Sequence, residues 1–96
     1  MVLVVRDFVN SCHTNHDGEV IYNQIAQSIF DGRQIFVSFR GVSSVTSSFL
    51  NSAFIPLLNK VSFSQIKANL KIIDSNKAIN DSIVRRFKQE VEAVTM

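Results

Sequence analysis

A single cysteine, Cys12, excludes an internal disulfide, so only packing and hydrogen bonds can hold this fold. The same scarcity suits a reducing compartment. One proline and three glycines leave little material for long structureless loops. No apolar run approaches the ~18 residues of a membrane span. The apolar opening, MVLVVRDFV, meets Arg6 and Asp7 too early for a signal-peptide core. A cytoplasmic location with no membrane partner is therefore expected. Also missing are a Gly-rich phosphate loop, a carboxylate pair with an obvious cleft and a second set of metal-type side chains. No cofactor and no enzymatic activity are expected.

What remains is an ordinary globular composition, 46% hydrophobic and 19% charged, in 96 residues. That length suits one domain spanning residues 1–96, because a single core typically needs roughly 50 to 200 residues. Net charge is only +2, but it is uneven. Residues 1–48 hold three Lys/Arg against four Asp/Glu, and residues 49–96 hold seven against four. The one basic cluster is RRFK (Arg85, Arg86, Lys88), closely followed by Glu90 and Glu92. Nucleic acid usually asks for a denser basic stripe with exposed aromatics, so it is not the expected partner.

Periodicity gives the elements. MVLVVRDFV is rich in β-branched residues and reads as a strand. The polar SCHTNHDG, with Asn15, Asp17 and Gly18 as turn residues, leads to a helix from Glu19. Asp17 is its expected N-cap, and Gly32 its expected stop. In QIFVSFR, alternation puts Ile35, Val37 and Phe39 on one face, with Phe36, Ser38 and Arg40 opposite. Two of those opposing residues are polar, which implies helices mainly on one side of the strand. Phe49, Leu50, Ala53, Phe54, Leu57 and Leu58 then mark a helix that Pro56 should kink or end. SFSQIKAN reads as a short helical turn capped by Ser62 or Ser64, and LKIID as a strand. A long amphipathic helix follows, entered through Asp74, Ser75 and Asn76 and marked by Ile79, Ile83, Val84, Phe87, Val91 and Val94. Alternating strands and helices predict a small two-layer α/β domain. Its short, mainly parallel sheet should have right-handed crossovers and helices largely on one face.

The densest chemistry lies between the second strand and second helix. GVSSVTSSF, residues 41–49, carries five hydroxyl side chains in nine positions. Thr46 or Ser47 can cap the helix, worth ~1 kcal/mol. Hydroxyls beside helix N-terminal N–H groups are also placed where a phosphate's charge is favoured.

The wider segment, VSFRGVSSVTSSFLNSAFIPLL, resembles the centre of STAS-type domains, the fold of anti-sigma-factor antagonists. It resembles more closely the STAS-like family of uncharacterised bacterial domains (DUF4325 type). That family shows an apolar strand, a Gly-Val, a hydroxyl-Ser-Phe and a Leu-rich helix. Asp17-Gly18 before the first helix, and LKIID before the last, extend the likeness. Many STAS domains begin with a hairpin, and residues 1–12 offer one strand only. In the antagonists a partner kinase phosphorylates the first Ser of an Asp-Ser-Ser-Gly motif. That motif falls here on Thr46, Ser47, Ser48 and Phe49, so Thr46 replaces Asp and Phe49 replaces Gly. The resemblance implies Ser47 as phosphoacceptor, with Ser48 and Thr46 as neighbouring candidates. It implies Gly41, Ser44, Thr46, Ser47 and Ser48 as a partner-binding surface. The implied function is a bacterial regulatory and signalling module that binds a protein, with a histidine-kinase-like ATPase as the kind of partner.

Two other readings stay open on the residues alone. A small nucleic-acid-associated regulator would use the basic C-terminal half. A metal-dependent enzyme would use the 12–17 loop, where Cys12, His13, His16 and Asp17 crowd into six positions. Exposed edges of so short a sheet leave a homodimer open as well.

Overall fold

The computed structural model describes residues 1–94, with the side chains of residues 1–92. The side chain of Val94, placed on the apolar face of the last helix by its spacing, lies outside that description. Three parallel strands run in the order β1 (Val2–Val4), β2 (Ile35–Ser38) and β3 (Leu70–Ile73). Pairing sets Val37 between Leu3 and Ile72, and Ser38 between Val4 and Ile73. Four helices connect or follow them: α1 (Asn15–Phe30), α2 (Ser47–Ala53), α3 (Phe63–Asn69) and α4 (Lys77–Val94). Because strand order follows chain order, successive right-handed crossovers put the connecting helices on one face.

Burial along β2 explains that face. Ile35, Val37 and Phe39 are fully buried beneath the helices. On the opposite face Val2 is 61% exposed, and Val4, Phe36 and Ile73 stay half-buried. The domain is two-layered, as alternation in the strand implied. Phe54 sits at the centre of the helix layer. Its ring meets Phe39 and Phe49 edge-on at centroid distances of 6.5 and 6.3 Å, and stacks with Phe87 at 6.4 Å. Each such pair adds about 0.5–1.5 kcal/mol beyond area burial. The cluster ties β2, α2 and α4 together. Pro56 ends α2 as its lost N–H requires, and the chain continues as a 3-10 turn over Ile55–Asn59.

Three expectations are corrected. The first strand is short: from Val5 the chain turns through a 3-10 segment, Val5–Asp7, and the N–H groups of Phe8 and Val9 both donate to the Val5 carbonyl. Val5 and Val9, four apart, are both buried by that turn, whereas a continued strand would use alternate positions. Residues 5–12 therefore hold no further strand. Next, α1 starts about a turn before Glu19. Thr14, extended at φ −122° and ψ 161°, is its N-cap and accepts from the Asp17 N–H. Asp17 is the third helical residue, not the cap, because Thr14 and Asp17 together form a capping-box arrangement.

Lastly, Gly18 is a helical residue and not part of a turn. A Cβ there would stand 2.4 Å from the Phe49 carbonyl oxygen and 2.8 Å from the Ser52 Cβ. α1 and α2 therefore cross in close backbone contact, and only glycine permits it. We expect Gly18→Ala to lower stability by about 1–3 kcal/mol, the range for overpacking a tight site. Urea unfolding checks this through the midpoint, and an unchanged midpoint would show that the crossing is looser than drawn.

Candidate functional site

Residues 41–46 have no regular structure, yet they are held from several sides at the carboxyl ends of the strands. Arg6, just after β1, donates through its guanidinium to the Gly41 carbonyl at 3.0 Å. Asn76 donates through its side-chain amide to the Ser43 carbonyl at 3.2 Å, while its oxygen caps α4 by accepting from the Ile79 N–H at 2.8 Å. The Thr46 N–H donates to the Cys12 carbonyl at 3.1 Å, and the Thr46 hydroxyl donates to the His13 carbonyl at 2.8 Å. Gly41 opens the loop at φ +79°, a conformation most side chains avoid.

Beneath the loop, the buried Ser38 hydroxyl donates to the Asp74 carboxylate at 2.7 Å and accepts from the Arg40 N–H at 3.3 Å. Asp74 holds a left-handed backbone, φ 51°, and its carboxylate lies 3.8 Å from the Arg40 guanidinium. This pairing satisfies the hydroxyl that alternation had placed on the exposed face of the sheet. It also joins the ends of β2 and β3.

The five hydroxyls are thereby divided. Thr46 caps α2, since its oxygen accepts from the Phe49 N–H at 3.2 Å while its proton goes to His13. Ser43 and Ser44 line a small depression of about 100 Å³ with Arg6, Cys12 and His13. Ser44 reaches the His13 ring only at 3.5 Å, too long to orient either group. Ser47 and Ser48 are exposed in the first turn of α2. Ser47 lines another depression, about 110 Å³, with Ser82, Arg85, Arg86 and Gln89 of α4. Arg86 is already oriented by Asn51 of α2 and by Glu90, the latter at 3.1 Å. A proximity across some forty residues leaves no sequence pattern, so nothing in the chain announced these arginines as neighbours of Ser47.

The 12–17 loop serves structure. Cys12 is buried, and its thiol is pushed up to about 11, by burial first and then by the Asp17 carboxylate, with Arg6 opposing. A protonated, enclosed thiol is a poor nucleophile and a poor metal ligand. Slight burial works against ionisation of Asp17, but hydrogen bonds from Thr14 and Ser11 and the N–H groups of His13 and Thr14 outweigh it. Its carboxyl sits below the ordinary value. His13 and His16 are exposed. Among the described residues no three His, Cys, Asp or Glu side chains gather as a metal site would require.

Strand order does not reverse among the described residues, and doubly wound folds bind nucleotides at such a reversal. Arg85 and Arg86 lie by Ser47, while Lys67, Lys71 and Lys88 line a separate groove. Five of the seven cations in residues 49–96 thus fall into two separate groups and not one stripe. No helix among the described residues is long and apolar enough to cross a membrane.

Comparison with known families agrees with this geometry. A STAS-like domain of unknown function (DUF4325) matches residues 17–80, from the capping turn of α1 to the first turn of α4. The chain belongs to this STAS-like family. Neither the curated proteins nor the solved structures contain a significant match to it. The STAS-like label points to a regulatory protein-interaction module, and the loop and hydroxyls at 41–49 lie inside the matched span. Arg85 and Arg86 lie beyond it.

Thr46 and Ser47 should separate sharply in stability. Thr46→Ala removes a cap and leaves the Phe49 N–H and the His13 carbonyl unsatisfied, so a loss of about 1–3 kcal/mol is expected. Ser47→Ala, on an exposed hydroxyl, should stay within about 0.5 kcal/mol. Urea midpoints of the two variants check this, and comparable losses would mean that Ser47 shares in the cap.

Proposed function

We propose that this STAS-like domain is a regulatory module whose protein-binding surface is the start of α2 with its preceding loop, and that phosphorylation of Ser47 switches that surface. The observation that carries the reading is the position of Ser47, exposed in the first turn of α2 and sharing a depression with Arg85 and Arg86. A phosphate there would bring about −1.5 to −2 charges and three acceptor oxygens to two guanidiniums. Arg86 would then face a choice between its present partners, Asn51 and Glu90, and the phosphate.

Both departures from the antagonist motif fit this reading. Phe49 is fully buried against Phe54, so its bulk leaves the surface around Ser47 clear. Thr46 fills the capping role that an aspartate also fills well. Kinship with the antagonists suggests a partner of histidine-kinase-like ATPase fold, contacted through Gly41, Ser44, Thr46, Ser47 and Ser48. The loop's several tethers suit such contact, since a preformed surface loses little entropy on binding.

The test is phosphosite mapping of the protein produced in its source organism together with the products of its neighbouring genes. A phosphate at Ser47 is expected, with Ser47→Ala and Ser47→Asp differing in capture of the partner so found. Unmodified protein under all conditions, or equal capture by both variants, would contradict the switch.

A further inference from the structure

On the far flank of α4 from Ser47, the helix layer overhangs the sheet. β3 is an edge strand. The Phe39 N–H donates to the Ile73 carbonyl, and the paired register then turns Lys71 and Ile73 toward β2. Ile72, between them, aims its own N–H and C=O outward, as strand alternation requires. Beside that edge lies an apolar groove of about 650 Å³ between α3, β3 and α4. Its floor is Ile66, Leu70, Ile83 and Phe87, which are buried, together with half-buried Ile72. Val84 stands at its margin, 63% exposed. Among the described residues nothing pairs with this strand edge or fills the apolar trough beside it, and that is the arrangement that accepts an added strand.

Charge says what kind of strand. Lys67, Lys71 and Lys88 line the groove against one acid, Glu92. A second copy paired edge to edge across β3 would bring two sets of these lysines together. We infer that this groove binds an extended segment of a different protein. Its residues would alternate between apolar and acidic, and it would join as a fourth strand beside β3. Backbone groups of Ile72 would pair with the segment, its apolar side chains would fill the trough, and its carboxylates would meet the lysines. This surface is separate from the start of α2, so the inference stands independently of the Ser47 reading.

A fluorescently labelled peptide alternating Ile and Glu tests it, beside the Lys-for-Glu peptide and an Ile/Glu peptide N-methylated at alternate residues. The Ile/Glu peptide should bind, shift the Ile72 amide resonance, and weaken as salt is raised. The other two peptides should bind at least about tenfold more weakly, as should the Ile/Glu peptide to Val84→Glu or Lys88→Glu protein. Both substitutions lie at exposed positions, so the variants should keep the parent fold, checked by their amide spectra. No binding of the Ile/Glu peptide, or equal binding of the Lys or N-methylated peptide, would overturn the inference. So would a dimer in sedimentation that Val84→Glu dissociates, because the groove would then belong to a second copy.

Discussion

Everything at the candidate site rests on the contact between Gly18 and the backbone of α2. A Cβ at Gly18 would collide with the Phe49 carbonyl, so the missing side chain sets how closely the first two helices approach. That approach brings Ser52 to Asn15, whose side chains bond at 3.1 Å. It also brings Thr46 to the Cys12–His13 backbone, where it makes two of the bonds that hold the loop. A wider crossing would free Thr46 from that backbone. The hydroxyl stretch would then become a mobile loop in place of a shaped surface.

Most of the polar groups around the site are already committed within the fold. The one thiol is buried and held protonated, the threonine hydroxyl is committed to capping, and the buried serine is committed to Asp74. Ser43, Ser44, Ser47 and Ser48 stay exposed, Ser47 beside one side of α4, and an apolar, lysine-lined trough lies on the other. α4 faces both surfaces through different residues, Arg85 and Arg86 toward one, Val84 and Lys88 toward the other. A single helix could therefore carry two contacts without the partners meeting.

Local signals in the sequence were readable where one cause dominates. Alternation in β2 gave its buried face, Pro56 gave the end of α2, and Gly32 took its positive φ just past α1. Where two residues could serve, the choice was hidden. Thr14 and Asp17 are both good caps, and their separation by three leaves it to the structure to show that Thr14 caps and Asp17 backs it. β1 misled because valines favour strands, while Val5 and Val9 also fit one face of a turn. Gly18 reads as a turn because its neighbours are turn formers, and nothing local marks a glycine needed for a crossing. The Ser47–Arg85–Arg86 grouping and the Ser38–Asp74 bond are long-range, and a single chain carries no trace of them.

The proposed switch requires that a phosphate at the start of α2 draw on Arg85 and Arg86, which line a depression with Ser47. Phosphoserine installed at position 47, followed by phosphorus NMR against pH, measures this directly. An ordinary phosphoserine loses its second proton near pH ~6. The two guanidiniums should pull that value down, and Arg85→Gln with Arg86→Gln should return it to the ordinary one. A phosphate that titrates normally in the parent protein, with no response to the two substitutions, would contradict the account.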